Sequence, residues 1–85
     1  MKAIKEGLRY DTETATELAT YFDRAYGFDI TVTLYRTYQL NYFLHYDKST
    51  SGPEIQPIPS RRAQQWLQDT DNLSVLEKNF PVKDA

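Results

Sequence analysis

The groups able to do chemistry are few. The chain carries one histidine, His45, and no cysteine. His45 and Asp47 stand two residues apart in a segment that reads as a strand, so both side chains point the same way. With Thr33 or Asp29 beside them they would begin a metal site. No second imidazole or thiolate can complete it, and an ordinary polar sheet face explains the pair more simply. Glu13 and Glu17 are spaced i, i+4, and Asp69 and Asp71 are close in sequence. General acid–base catalysis needs a pocket that separates the pKa values of such a pair. At the starts of helices these carboxylates act instead as caps and dipole partners. A Ser–His nucleophile would have to use His45, and no strand-turn-helix elbow precedes any serine. Gly7, Gly27 and Gly52 lie too far apart to form a phosphate cradle. The expectation is a chain with no catalytic residue, no metal and no cofactor. It is read as a binding protein, not an enzyme.

Two groups of residues suit contact with a partner. Tyr35, Tyr38, Tyr42, Phe43 and Tyr46 fall on one predicted hairpin or its tip. Tyrosine offers a large contact area at small entropic cost, although a small domain also uses it as core. Arg61-Arg62 opens a predicted helix, where cations oppose the dipole by a few tenths of a kcal/mol each. Arginine at such a place suits a bidentate grip on carboxylate or phosphate, and equally a solvated surface. The candidate partner-binding residues are Tyr35, Tyr38, Phe43, Arg61 and Arg62.

These residues must be held by a single small domain spanning 1–85, with a core over about 7–80 and a frayed tail at 81–85. The 85 residues are 40% hydrophobic and 26% charged, within the globular range, and 14% aromatic. Net charge is −2. It is spread evenly: −1 over 1–26, −1 over 27–60 and zero over 61–85. Without a basic stripe to neutralise phosphates, nucleic acid is a disfavoured partner. No apolar run approaches the roughly 20 residues of a membrane span. The lack of cysteine suits a reducing compartment, so a cytoplasmic protein with no membrane partner is expected.

Periodicity supplies the elements. Asp11-Thr12 offers N-cap side chains, and Ala15, Leu18, Ala19 and Phe22 follow at i, i+3, i+4 and i+7, predicting a helix closed by Gly27. Ala3 to Tyr10 predicts a short strand broken at Gly7. Ile30, Val32 and Leu34 alternate with Thr31, Thr33 and Tyr35, and Tyr42 to Tyr46 reads as the partner strand. A three-residue loop, Tyr38-Gln39-Leu40, would set Leu34 opposite Leu44, Val32 opposite Tyr46 and Tyr35 opposite Phe43. Residues 48–54 form a loop by composition. Ile55, Ile58 and the prolines 53, 57 and 59 continue in extended form. A helix follows from Ser60 with Ala63, Trp66 and Leu67 on one side. Asp71 or Asn72 caps a last helix with Leu73, Leu76 and Phe80 on its apolar side, ended by Pro81. The expected fold class is α+β: a two-layer β-α-β-β-α-α domain with helices on one face of an antiparallel sheet. That arrangement would leave Tyr35 and Phe43 open on the other face.

The order of Gly7-x-x-Tyr10-Asp11-Thr12-Glu13-Thr14-Ala15, Leu34-Tyr35-Arg36-Thr37, Tyr42-Phe43-Leu44-His45, Ile55-x-Pro57-Ile58 and Ala63-x-x-Trp66 resembles a family of small, mostly uncharacterised bacterial proteins encoded by phages and mobile elements. The resemblance spans residues 7–67. Three features depart from it: Leu40 stands where that family has a turn glycine, the Gly-rich segment after the second strand is nearly absent, and Arg61-Arg62 replaces acidic residues. The resemblance implies a setting in which small proteins inhibit host defence, anti-CRISPR proteins among them. It implies a protein partner such as a CRISPR effector subunit. Two other functions are open from the residues. Arg36, Lys48, Arg61 and Arg62 with interleaved aromatics would suit a nucleic-acid accessory protein. An open hairpin edge or the Tyr35/Phe43 face would suit a homodimer.

Overall fold

The computed structural model describes residues 1–25, 28–49 and 51–85. Six strands precede two helices: β1 (Lys2–Lys5), β2 (Leu8–Asp11), β3 (Thr16–Ala25), β4 (Phe28–Arg36), β5 (Tyr42–Tyr46), β6 (Glu54–Ile58), α1 (Ser60–Asp69) and α2 (Leu73–Asn79). β1 and β2 form a hairpin, and β3-β4-β5-β6 form a four-stranded antiparallel meander. The class is α+β, but the element order is not β-α-β-β-α-α.

The expected first helix is strand β3, paired along its length with β4 from Thr16↔Arg36 to Arg24↔Asp29. The capping signal there is real for one turn only. The Asp11 carboxylate accepts the Glu13 N–H, and the Ala15 N–H donates to the Asp11 carbonyl. Beyond that turn, Thr16, Thr20, Tyr21 and Phe22 favour extended backbone. The strongly alternating β4 supplies a partner, and tertiary pairing overrides the i, i+3, i+4 spacing. A bulge between Glu17 and Ala19 absorbs the extra residue, Leu18. Gly27, the expected helix stop, lies outside the described residues. The single strand expected before it is the β1–β2 hairpin. It turns at Glu6 (φ 51°) and Gly7 (φ 79°), the two positive values a type I′ turn needs.

The central hairpin has the register the alternation predicts, with Val32↔Tyr46, Leu34↔Leu44 and Tyr35↔Phe43. The loop closes through Thr37 N–H to the Asn41 carbonyl and Leu40 N–H to the Thr37 carbonyl. The segment with prolines joins the sheet as edge strand β6. There Pro57 pairs with Phe43, and its missing N–H falls on the outer side.

Helices cover one face of the sheet. Val32, Leu34, Leu44 and Tyr42 pack with Ala63, Leu67, Leu76 and Phe80. Within that layer the Tyr42 and Phe80 rings lie 5.3 Å apart. Arg36 donates to the Asn79 side chain at 2.7 Å, tying α2 to β4. α1 ends in a Schellman motif: Asp71 takes φ 59°, its N–H reaches the Gln68 carbonyl, and the Asn72 N–H reaches the Leu67 carbonyl. Asp71 therefore terminates α1 instead of capping α2. Asn72 holds the N-cap position of α2 without a side-chain cap bond. The apolar side of α2 is Val75, Leu76 and Phe80, while Leu73 is exposed.

The β1–β2 hairpin covers the other face, so the domain has three layers instead of two. Tyr10, Phe43 and Ile55 are buried there, with Ala3, Ala15 and Tyr35 against them. The Tyr10 ring meets Phe43 edge-on at 5.5 Å, and Tyr35 stacks on Phe43 at 5.1 Å. No helix among the described residues is long and apolar enough to cross a membrane.

Phe43 joins the hairpin layer to the sheet, so Phe43→Ala is expected to cost about 3–5 kcal/mol. Tyr38→Ala is expected to stay within about 0.5 kcal/mol. Urea unfolding followed by tryptophan fluorescence measures both.

Candidate functional site

The sheet ends, on the side of the β4–β5 loop, in an open surface of mixed polar and apolar residues. Tyr38 is 96% exposed and Leu40 66% exposed. Facing that loop, the second strand of the N-terminal hairpin brings Leu8, Arg9 and Asp11 to the opposite wall of a cleft of about 320 Å³. Thr14, Thr37, Gln39 and Asn41 complete the lining. The cleft exists because Tyr10, next to Arg9, is drawn inward onto Phe43, which sends Arg9 and Asp11 outward by strand alternation.

Several polar groups of the lining are already engaged. Asp11 accepts from the Glu13 N–H, and the Thr37 hydroxyl accepts from the Asn41 N–H at 3.0 Å. Among the described residues the one ion pair is Arg24–Asp29 at 3.2 Å, so the Arg9 guanidinium has no carboxylate partner. The cleft thus sets the Arg9 cation and Leu8 across from the exposed Tyr38 phenol, with Leu40 beside it on the loop but outside the lining.

Leu40 is the strained position. It adopts φ 63°, the left-handed region that costs a non-glycine residue about 1–2 kcal/mol. A three-residue hairpin loop built as a type I turn followed by a left-handed residue demands that conformation. Leucine accepts it here with its side chain pointing to solvent.

The other candidates scatter. Phe43 is fully buried and cannot meet a partner. The sequence left it open because it assigned no layer to that face, whereas the hairpin supplies one. Tyr35 is half-buried beneath it, its phenol pushed up by burial and by Glu17. Arg61 and Arg62 are exposed at the start of α1, whose first turn has neither an acidic residue nor a side-chain cap. They do not line the cleft. Arg62 instead acts on the Tyr46 hydroxyl, partly opposing the upward push of burial and Glu54. Leu8, Arg9 and Leu40, exposed at this end of the sheet, were not among the sequence candidates. A leucine at a turn position that asks for glycine was the one legible sign.

The polar sheet residues near His45 are committed elsewhere. Asp47 accepts the Thr31 N–H at 2.8 Å, and Asp29 holds Arg24. Among the described residues no three or more His, Asp or Glu gather as a metal site. Comparison with known proteins returned no match: no family model, no curated protein and no solved structure matches the chain.

Replacing Leu40 by glycine relieves the left-handed strain. Leu40→Gly is expected to raise unfolding free energy by about 1 kcal/mol, read as a higher urea midpoint at unchanged slope. A second expectation concerns pH. Burial lowers the His45 pKa below the ordinary 6.5, the N-terminal ammonium adds to this, and Asp47 opposes it. As pH falls through 6.5 the unfolded chain takes up the proton first. The stability carried by neutral His45 is therefore present above that pH and lost below it. Thermal unfolding should show a decline from pH 7.5 to 5 that flattens in His45→Gln.

Proposed function

We propose that this chain is a non-enzymatic binding protein that seats a protein partner on the Tyr38–Leu40 loop and the Arg9 wall of the cleft. The observation that carries this reading is Leu40, which holds a strained backbone and an exposed side chain at once. Strain kept at a surface position, with no packing to reward it, is the mark of a site selected for contact. Tyr38 beside it serves as a rigid aromatic anchor of low entropic cost. Arg9 adds a charge free to pair with a carboxylate of the partner.

The resemblance to small phage and mobile-element proteins supports a more specific version. The partner would be a component of bacterial defence, such as a CRISPR effector subunit, inhibited by stoichiometric contact. The modest net charge of −2 accords with recognition through shape and aromatic contact more than through a strong field.

The test is capture of effector subunits by the tagged protein from a host with an active CRISPR system, alongside plaque counts of a targeted phage. Tyr38→Ala and Arg9→Ala should each weaken capture about tenfold or more while leaving thermal stability unchanged. Leu40→Gly should weaken capture while raising stability, since rigid display of the loop is lost as strain is relieved. Capture that is indifferent to all three substitutions removes the cleft as the site. Absence of any captured effector together with full interference removes the inhibitor reading.

A further inference from the structure

We propose that two copies of this chain associate through the free edge of β3, extending the four-stranded sheet across a two-fold axis at Tyr21. The argument starts from which backbone groups lack partners. The Asp47 N–H bonds to the Thr31 carbonyl, and the Thr37 N–H bonds to the Asn41 carbonyl. The odd-numbered residues of β4 therefore direct their N–H and C=O groups to β5. Successive residues of a strand point their backbone groups in opposite directions, so the even-numbered ones, Ile30, Val32 and Leu34, serve β3. Their partners there are Asp23, Tyr21 and Ala19. Thr20, Phe22 and Arg24 are left with their backbone groups aimed away from the sheet.

One of these groups is already answered. The Arg24 N–H donates to the Asp23 carboxylate at 2.8 Å. Among the described residues, Thr20 and Phe22 keep both N–H and C=O free, and these two residues flank Tyr21. A second β3 strand running antiparallel about a two-fold at Tyr21 sets Thr20 opposite Phe22 of the other copy, and Phe22 opposite its Thr20. Four backbone hydrogen bonds then close on the free groups and on no others.

The neighbouring symmetric registers are worse. Centring the axis on Thr20 brings Glu17 opposite Asp23 of the other copy, a like-charge pair, and runs Phe22 into the bulge at Leu18. Centring it on Phe22 asks Arg24 for an N–H that Asp23 already holds. In the favoured register no like charges oppose. Phe22, which is 77% exposed in one copy, covers the Thr20 methyl of the other. Tyr21, 40% exposed, meets its own copy on the helix side of the sheet. The opposite edge does not compete, because Pro57 leaves the outward side of β6 lacking an N–H. The net charge of −2 per copy adds little repulsion. Contact through one strand covers less than a standard interface of about 1,600 Å², so the dimer is weak and depends on concentration.

Sedimentation equilibrium of the pure protein, from low micromolar to about 1 mM, reads this independently of any effector. The expected result is a mass rising from one copy towards two, with amide exchange at Thr20 and Phe22 slowing as concentration rises. Phe22→Lys, at an exposed edge position, should keep the fold and abolish the rise. Thr20→Pro removes an outward N–H without touching the β3–β4 ladder and should do the same; if it fails to fold, Phe22→Lys decides alone. A wild-type mass of one copy throughout, or a Phe22→Lys variant that dimerises as wild type does, overturns the proposal. Capture of effector through the cleft is separable from this outcome, since the cleft lining includes no β3 residue.

Discussion

The cross-strand pairing of Leu34 with Leu44 and of Tyr35 with Phe43 is the constraint from which the other layers follow. One register puts Val32, Leu34 and Leu44, with Tyr42, on one side of the sheet and Tyr35 and Phe43 on the other. A slip of one residue would reverse both faces and leave neither set with a cover. The aliphatic face requires a helical layer, which Ala63, Leu67, Leu76 and Phe80 supply. The aromatic face requires another, which Tyr10 supplies from the N-terminal hairpin. In so short a chain each layer is thin, and a single side chain such as Phe43 carries a large share of the joint between two of them.

The same register explains where contact surface is left over. Because Phe43 draws Tyr10 inward, the neighbouring Arg9 is sent outward, and the β4–β5 loop stands across from it. The cleft is thus a by-product of core packing, with walls that come from two hairpins rather than from one motif. Tyr38 and Leu40 are excluded from both cores by the loop that joins the two central strands. The exposed aromatic on β3 has a different origin. The sheet needs an edge, and Phe22 lies on it beyond the reach of the N-terminal hairpin.

Chemistry is sparse throughout, and the structure disperses what there is. Asp47 serves a backbone N–H, Asp29 serves Arg24, and Asp11 shapes a turn. The two carboxylates that stood near His45 in the sequence, Asp47 and Asp29, thus each have a local structural task.

The central hairpin was readable from residues alone, down to its register and its three-residue loop. Strict alternation over 30–35 and a matching alternation over 42–46 admit few other pairings. The helix at Ser60 was equally plain, since its period is unambiguous and Pro59 marks its start. The segment 11–25 was not readable in the same way. Ala15, Leu18, Ala19 and Phe22 have helical spacing, yet Thr16, Thr20 and Tyr21 favour a strand, and local preference is nearly balanced. The decision fell to β4, whose open side offers a ladder of hydrogen bonds that only an adjacent strand can satisfy. The fate of Phe43 was decided in the same way. Its residue type and face were legible in the chain, but its burial depends on a second hairpin lying more than 30 residues earlier, and no local pattern encodes that contact.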